Sequence, residues 1–201
     1  MLNNTKRIII ISLIIFAPVN LYAQNSNSKI IQSYYISPSH FANIDLPKRI
    51  NIFTRDRVTD FRPINKSLGI TVQYLDRNNL AIIRFYDSIN RNMPNTTNVN
   101  KKNQFLNLLG PFQEANSRLL RLKESGYYSK VKQKNKSDYP KNCVLFMCTG
   151  YDLEKNGISI DGYLYITSYN NKLINIMITL PASKDSAKIS KDFIDQFRKS
   201  F

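Results

Sequence analysis

Histidine is nearly absent from this chain: His40 is the sole one in 201 residues. Ser–His and Cys–His nucleophile pairs both need an imidazole beside the attacking group. His40 sits between Ser39 and Phe41 with no motif around it, and reads as a half-exposed strand residue. Carboxylates are also scarce, 14 Asp and Glu against 29 Lys and Arg. Asp56 and Asp60 have helical spacing, but their segment lacks a helical pattern, which leaves a glycosidase-like acid pair unsupported. Asp152, Glu154, Asn156 and Gly157 resemble the opening of a calcium loop, yet the twelfth position is Tyr163 and not the bidentate Glu such a loop needs. There is no G-x-S-x-G, phosphate-binding loop, H-E-x-x-H or paired C-x-x-C. The two cysteines and the histidine have no zinc spacing. The inventory therefore predicts no catalytic residue, no cofactor and no metal.

Long apolar runs are missing too. The longest, Ile8 to Phe16, is broken by Ser12 and falls short of the roughly 20 residues that span a bilayer. It follows Lys6 and Arg7 and precedes Leu21-Tyr22-Ala23. That is the layout of a secretory signal peptide cleaved after Ala23, not of a transmembrane anchor. No cysteine follows the cleavage site, so no bacterial lipid attachment is expected. We read residues 1–23 as signal peptide, 24–39 as a flexible Asn- and Ser-rich leader, and 40–201 as one domain, long enough to bury a core. Cleavage removes two of the cations behind a net charge of +15. The remaining excess favours an acidic protein partner or an anionic envelope surface. Export makes nucleic acid the least expected partner.

Within the domain, His40 to Pro47 reads as a strand ended by proline, which Ile50 to Thr54 continues after a kink. Arg55 to Lys66 reads as charged and irregular. Leu68 to Leu75 and Leu80 to Tyr86 form a hairpin around Asp76-Arg77-Asn78-Asn79. Ser88 to Asn103 is a polar loop rich in Asn. Phe105, Leu108, Leu109, Phe112, Ala115, Leu119 and Leu122 form a helical stripe; Gly110-Pro111 interrupts it, as a kink or as a new helix with Pro111 at its first position, and Gly126 stops it. Tyr128 to Lys136 and Cys143 to Leu153 are further strands. The apolar residues on both faces of Cys143 to Met147 suggest a central strand covered on both sides. Asn156-Gly157 is the strongest turn signal. Ile158 to Ile166 alternates, and after Asn170-Asn171 so does Ile174 to Thr179, which Pro181 stops. A two-residue turn at Asn170-Asn171 puts Ile174 and Ile176 beside Thr167 and Tyr165; a three-residue turn flips them to the face of Leu164 and Ile166. Ile189, Phe193, Ile194 and Phe197 mark a closing helix. The fold class expected from this order is α+β, as a three-layer α/β/α sandwich with a largely antiparallel sheet.

Two features have chemical consequences. In a continuous strand, Cys143 and Cys148 lie about 16 Å apart and face opposite ways, beyond the roughly 7 Å between Cα atoms that a disulfide tolerates. Two buried thiols are expected; the alternative is a bulged segment closed by a local bridge. The second feature is Lys130, Lys132, Lys134 and Lys136, whose spacing places four ammonium groups on one face of a strand. This stripe either protects a sheet edge from pairing or faces an acidic partner. Tyr127, Tyr128 and Tyr139 flank it, and Tyr163 and Tyr165 offer a second tyrosine face.

A strand ending at Leu46-Pro47, a hairpin, a long helix, a meander and a closing amphipathic helix together resemble the PsbP-like fold. Phe41 to Pro47 echoes it locally as F-x-x-I-x-L-P. The resemblance spans roughly 40–201 as an element order. It implies the non-enzymatic accessory or adaptor role of extrinsic photosystem subunits and of DcrB-like bacterial periplasmic proteins, and it transfers no catalytic residue. The expectation is an exported periplasmic protein that binds a protein partner, such as an immunity protein against a delivered toxin or an envelope accessory factor. Its partner-binding residues would be Lys130, Lys132, Lys134, Lys136, Tyr127, Tyr128, Tyr163 and Tyr165. The alternative is a secreted basic protein that binds an anionic surface or a host partner as a virulence factor.

Overall fold

The computed structural model describes residues 41, 43–63, 65–87, 101–137, 143 and 145–201, with the side chains of the first helix described from 107. Tight hairpins build most of the sheet. β1 (Arg49–Ile50) turns at Asn51 into β2 (Phe53–Asp60). β3 (Ile70–Asp76) turns at Arg77-Asn78 into β4 (Asn79–Asp87). A long helix, α1 (Lys101–Glu124), precedes the short strand β5 (Lys130–Gln133). The meander β6 (Met147–Lys155), β7 (Ile158–Tyr169) and β8 (Lys172–Pro181) follows, and α2 (Ser186–Arg198) closes the chain.

Local sequence explains the turns. Asn156 and Gly157 have φ of 53° and 75°, and Asn170 and Asn171 have 43° and 61°. Positive φ at both central residues defines the turn whose twist matches paired strands, and asparagine and glycine tolerate it. The second turn therefore has two residues: Tyr169 pairs with Lys172, Thr167 with Ile174 and Tyr165 with Ile176. Gly126, at φ 74°, ends α1 as the sequence suggests.

The strands form one antiparallel sheet of eight in the order β1-β2-β3-β4-β8-β7-β6-β5. Alternating residues divide the core between its faces. On one face Phe53, Tyr74, Ile83, Phe85, Tyr165 and Ile176 pack with Phe193, Ile194 and Phe197 of α2. On the other, Leu153, Leu164, Ile166 and Met177 pack with Leu108, Leu119 and Leu122 of α1. Burying each such side chain contributes about 1.5–3 kcal/mol.

Several expectations are corrected. The three-layer α/β/α sandwich does not form: the described residues are 46% strand and 26% helix, carried by a single large antiparallel sheet with two α-helices among them. The sequence patterns gave too few strands, because Arg55 to Asp60 looked irregular and is in fact the body of β2. That strand carries a bulge between Arg55 and Arg57, which breaks the alternation on which its recognition depends. Conversely, residues 44–47 are not a strand. They cross the sheet face, burying Ile44 and Leu46, while the Tyr74 hydroxyl donates to the Pro47 carbonyl at 2.8 Å. α1 runs unbroken through Pro111. Of the polar loop, residues 101–103 are helical and 88–100 lie outside the described residues, as do His40 and Tyr139.

Cys143 to Met147 is not a central strand either. β6 begins only at Met147, and Cys143 and Cys148 are joined by a disulfide with Cα atoms 6.2 Å apart. The expectation of two thiols fails because the backbone is not extended there. Leu145 takes a φ of 73°, and the Phe146 amide donates back to the Cys143 carbonyl at 2.9 Å. The apolar run is the mark of a buried turn. Phe146 inserts against Tyr165 and Phe201, and the Thr167 hydroxyl donates to the Leu145 carbonyl at 2.6 Å.

Candidate functional site

The lysine-rich segment lies at one edge of the sheet. β5 pairs with β6 so that Lys130 faces Glu154, Val131 faces Leu153, Lys132 faces Asp152 and Gln133 faces Tyr151. Among the described residues nothing pairs with its outer side. The four lysines do not form one equivalent row. Lys130 and Lys132 are exposed on the strand, while Lys136 is exposed in a turn beyond its end.

Lys134 lies just past the strand and points inward, its side chain only 13% exposed. Its ammonium lies 2.5 Å from Asp152 and 2.7 Å from Asp161. Burial lowers its pKa, but hydrogen bonds and attraction from these two carboxylates outweigh that cost and raise it well above the ordinary lysine value. Asp161 also accepts the Ser183 amide at 3.2 Å, which ties the approach to α2 into the same cluster. Lys134 is thus a clasp joining the end of β5 to β6 and β7.

The clasp affects the other lysines. Asp152 is held by Lys134, and the Glu154 carboxylate accepts the Ser129 hydroxyl at 2.8 Å. Among the described residues neither Lys130 nor Lys132 forms a salt bridge, although each stands across from an acid. The edge therefore offers two cations whose nearest carboxylates are already engaged.

The tyrosines separate in the same way. Tyr128, Tyr163 and Tyr165 are each 2% exposed and belong to the core. Tyr163 and Tyr165 face the α2 side of the sheet, where the Tyr165 hydroxyl shares a 2.7 Å hydrogen bond with Ser190. As placed, none of the three can meet a partner. Their acidities record the same burial: desolvation pushes Tyr163 up to about 12, and moves Tyr128 and Tyr165 up as well. Tyr127 is half-buried, with the Lys155 ammonium 3.7 Å from its ring centroid. Of the eight residues singled out from sequence, Lys130, Lys132, Lys136 and part of Tyr127 remain presented to solvent.

Sequence reading missed a second polar feature. Thr59, Thr71, Arg84 and Asn175 are buried side by side across β2, β3, β4 and β8, on the face that α1 covers in part. Arg84 Nε donates to Thr71 Oγ1 at 3.1 Å, and its Nη1 to the Tyr86 hydroxyl at 3.2 Å. Arg118 of α1 reaches the same hydroxyl at 3.4 Å. Arg84 sits among Leu80, Ile82 and Phe85 in sequence, and only the strand register shows that it joins a polar row.

Among the described residues no three His, Cys, Asp or Glu side chains are grouped to hold a metal ion. No helix among them is long and apolar enough to cross a membrane. No protein-family model matches the chain, and no curated protein matches it.

Proposed function

We propose that this is an exported, non-enzymatic protein that binds an acidic protein partner through the β5 edge. The observation that carries this reading is the pair Lys130 and Lys132, exposed on the outermost strand and without an ion pair among the described residues. The cationic excess that remains of the full chain's +15 once Lys6 and Arg7 are removed adds a general field of the same sign, which would speed encounter with an acidic surface. The disulfide supports export, since such bonds persist in oxidising compartments. So does the signal-like segment before residue 24. A periplasmic binding role, as an immunity protein or an envelope accessory factor, fits these features.

The deciding experiment compares partner capture from a periplasmic extract by wild type and by the Lys130→Glu/Lys132→Glu variant at two salt concentrations. Exposed lysines contribute little to stability, so the variant should fold normally. Exposed charges act mainly on association rate, and salt screens them over about 10 Å. We expect the wild type to capture one partner with strong salt dependence and the variant to capture less of it. Equal capture at both salts would refute the reading. Recovery of the mature protein in the culture medium would instead favour a secreted role.

A further inference from the structure

The ladder at β5 determines which backbone groups it shows to the outside. The Lys134 amide donates to the Gly150 carbonyl at 2.9 Å, and that pair continues the register of Lys132 with Asp152 and Lys130 with Glu154. In an antiparallel ladder, alternate residues exchange both hydrogen bonds with the neighbouring strand. Residues 130, 132 and 134 therefore bond inward to β6. Val131 and Gln133 turn their N–H and C=O groups to the open edge.

We propose that β5 takes up an extended acidic segment of the partner protein as a ninth strand, paired antiparallel. This rests on the reading of the β5 edge as a protein-binding surface and specifies how that surface is read. A docked strand would exchange two hydrogen bonds with Val131. Its residues on either side would then stand opposite Lys130 and Lys132 in non-hydrogen-bonded pairs, where Cα atoms approach about 4.5 Å and side chains lie closest. Acidic side chains at those two positions meet the two lysines whose nearest carboxylates are already held by Lys134 and Ser129. The residue between them would lie on the other face of the sheet, beside Val131 and the apolar cluster of Tyr128 and Leu153. The recognised pattern is thus acid–apolar–acid in extended conformation, a form of strand addition in which main-chain bonds give affinity and alternate side chains give specificity.

The test uses the full mature chain and three short end-blocked peptides. One has a Glu-Val-Glu core, one the same core with its central Val N-methylated, and one a Lys-Val-Lys core. The Glu-Val-Glu peptide should bind and slow amide exchange at Val131 and Gln133, which electrostatic association alone would not do. N-methylation removes the hydrogen bond that the central amide donates, and should weaken binding about tenfold. The Lys130→Glu/Lys132→Glu variant should reverse the preference in favour of the Lys-Val-Lys core. Equal binding of the N-methylated peptide would overturn strand addition while leaving an acidic partner at this edge intact. Absence of Glu-Val-Glu binding, with lysine-dependent capture of the natural partner retained, would also overturn it. Loss of lysine dependence in the capture experiment would instead remove the reading of the edge on which it rests.

Discussion

Lys134→Met is the perturbation that most directly tests how the edge is built. The substitution keeps the unbranched stem and removes the ammonium. It leaves Asp161, 8% exposed, and Asp152, 40% exposed, without their shared cation. Breaking a fully buried pair costs about 3–5 kcal/mol, most of it from the charge left behind. Because Asp152 remains substantially hydrated, the exposed half of the pair contributes little. A loss of about 2–3 kcal/mol is expected. For a domain of this size, each kcal/mol shifts Tm by about 2–4 °C, so Tm should fall by about 4–12 °C. Urea unfolding followed by circular dichroism at pH 7 measures the change, and the urea dependence of stability should itself stay the same. Adding Asp161→Asn removes the orphaned charge and should recover part of the loss; Lys132→Ala should stay within about 0.5 kcal/mol. A Lys134→Met cost below about 0.5 kcal/mol would show that the clasp does not hold β5, and would undo the argument that it occupies the carboxylates.

Further outcomes follow from the burial of titratable groups and from the disulfide. Alkali should destabilise the fold. Tyr127 and Tyr163 are pushed up to about 12, and Tyr74, Tyr128 and Tyr165 are also raised, so above pH 10 the unfolded chain loses phenolic protons that the folded chain keeps. The raised Lys134 acts in the same direction above pH 10.5, because its stabilisation is complete below the unfolded value and is lost as pH climbs toward the folded one. Stability measured across pH 7 to 12 should fall steadily beyond pH 10, and a flat profile would contradict this. Alkylation of denatured, unreduced protein should label neither Cys143 nor Cys148. Replacing both with serine should cost about 2 kcal/mol, the loop entropy of a short closure, seen as a lower Tm in calorimetry. Full labelling of both thiols would refute the bridge.

The parts of the fold that were legible in the sequence are those in which local chemistry and tertiary placement agree. Asn156-Gly157 turns because those residues accept positive φ. α2 buries Phe193, Ile194 and Phe197 because their spacing gives one helical stripe. Legibility failed where a strand departs from strict alternation. The β2 bulge hid a strand among charged residues, and the apolar run at Cys143 to Met147 hid a turn inside the core. Of the two readings that Pro111 allows, a kink or a new helix, the new helix does not form: α1 continues through it, carried by packing of Leu108, Ala115 and Leu119 on either side. At the site, the spacing of the four lysines was legible but their roles were not. A period of two places side chains on one face and says nothing about where a strand ends. β5 ends at Gln133, and Lys134 is the residue that turns inward to its two aspartates.

The two edges of the sheet are protected differently, and that difference bears on function. At the β2 edge, the two-residue strand β1 pairs with the start of β2, the Arg55 amide donates to the Lys48 carbonyl at 2.8 Å, and a bulge follows immediately. Each of these features interrupts the straight row of donors and acceptors that another strand would need. β5 has no such interruption across Lys130–Gln133 among the described residues; its register with β6 is continuous. Among the described residues its protection is the charge of Lys130 and Lys132. Charge excludes only strands of like or neutral character, since an acidic strand would find two unpaired lysines and the outward hydrogen-bonding groups of Val131 and Gln133. Under the proposed strand addition, the two lysines that guard this edge against pairing would also select what docks on it. The clasp makes this filter possible: by holding Asp152, Lys134 leaves Lys132 without the partner that would otherwise neutralise it. On that proposal, protection of the edge and recognition of an acidic strand would depend on the same two side chains, and Lys130→Glu/Lys132→Glu is expected to change which strands are admitted without opening the edge to all of them.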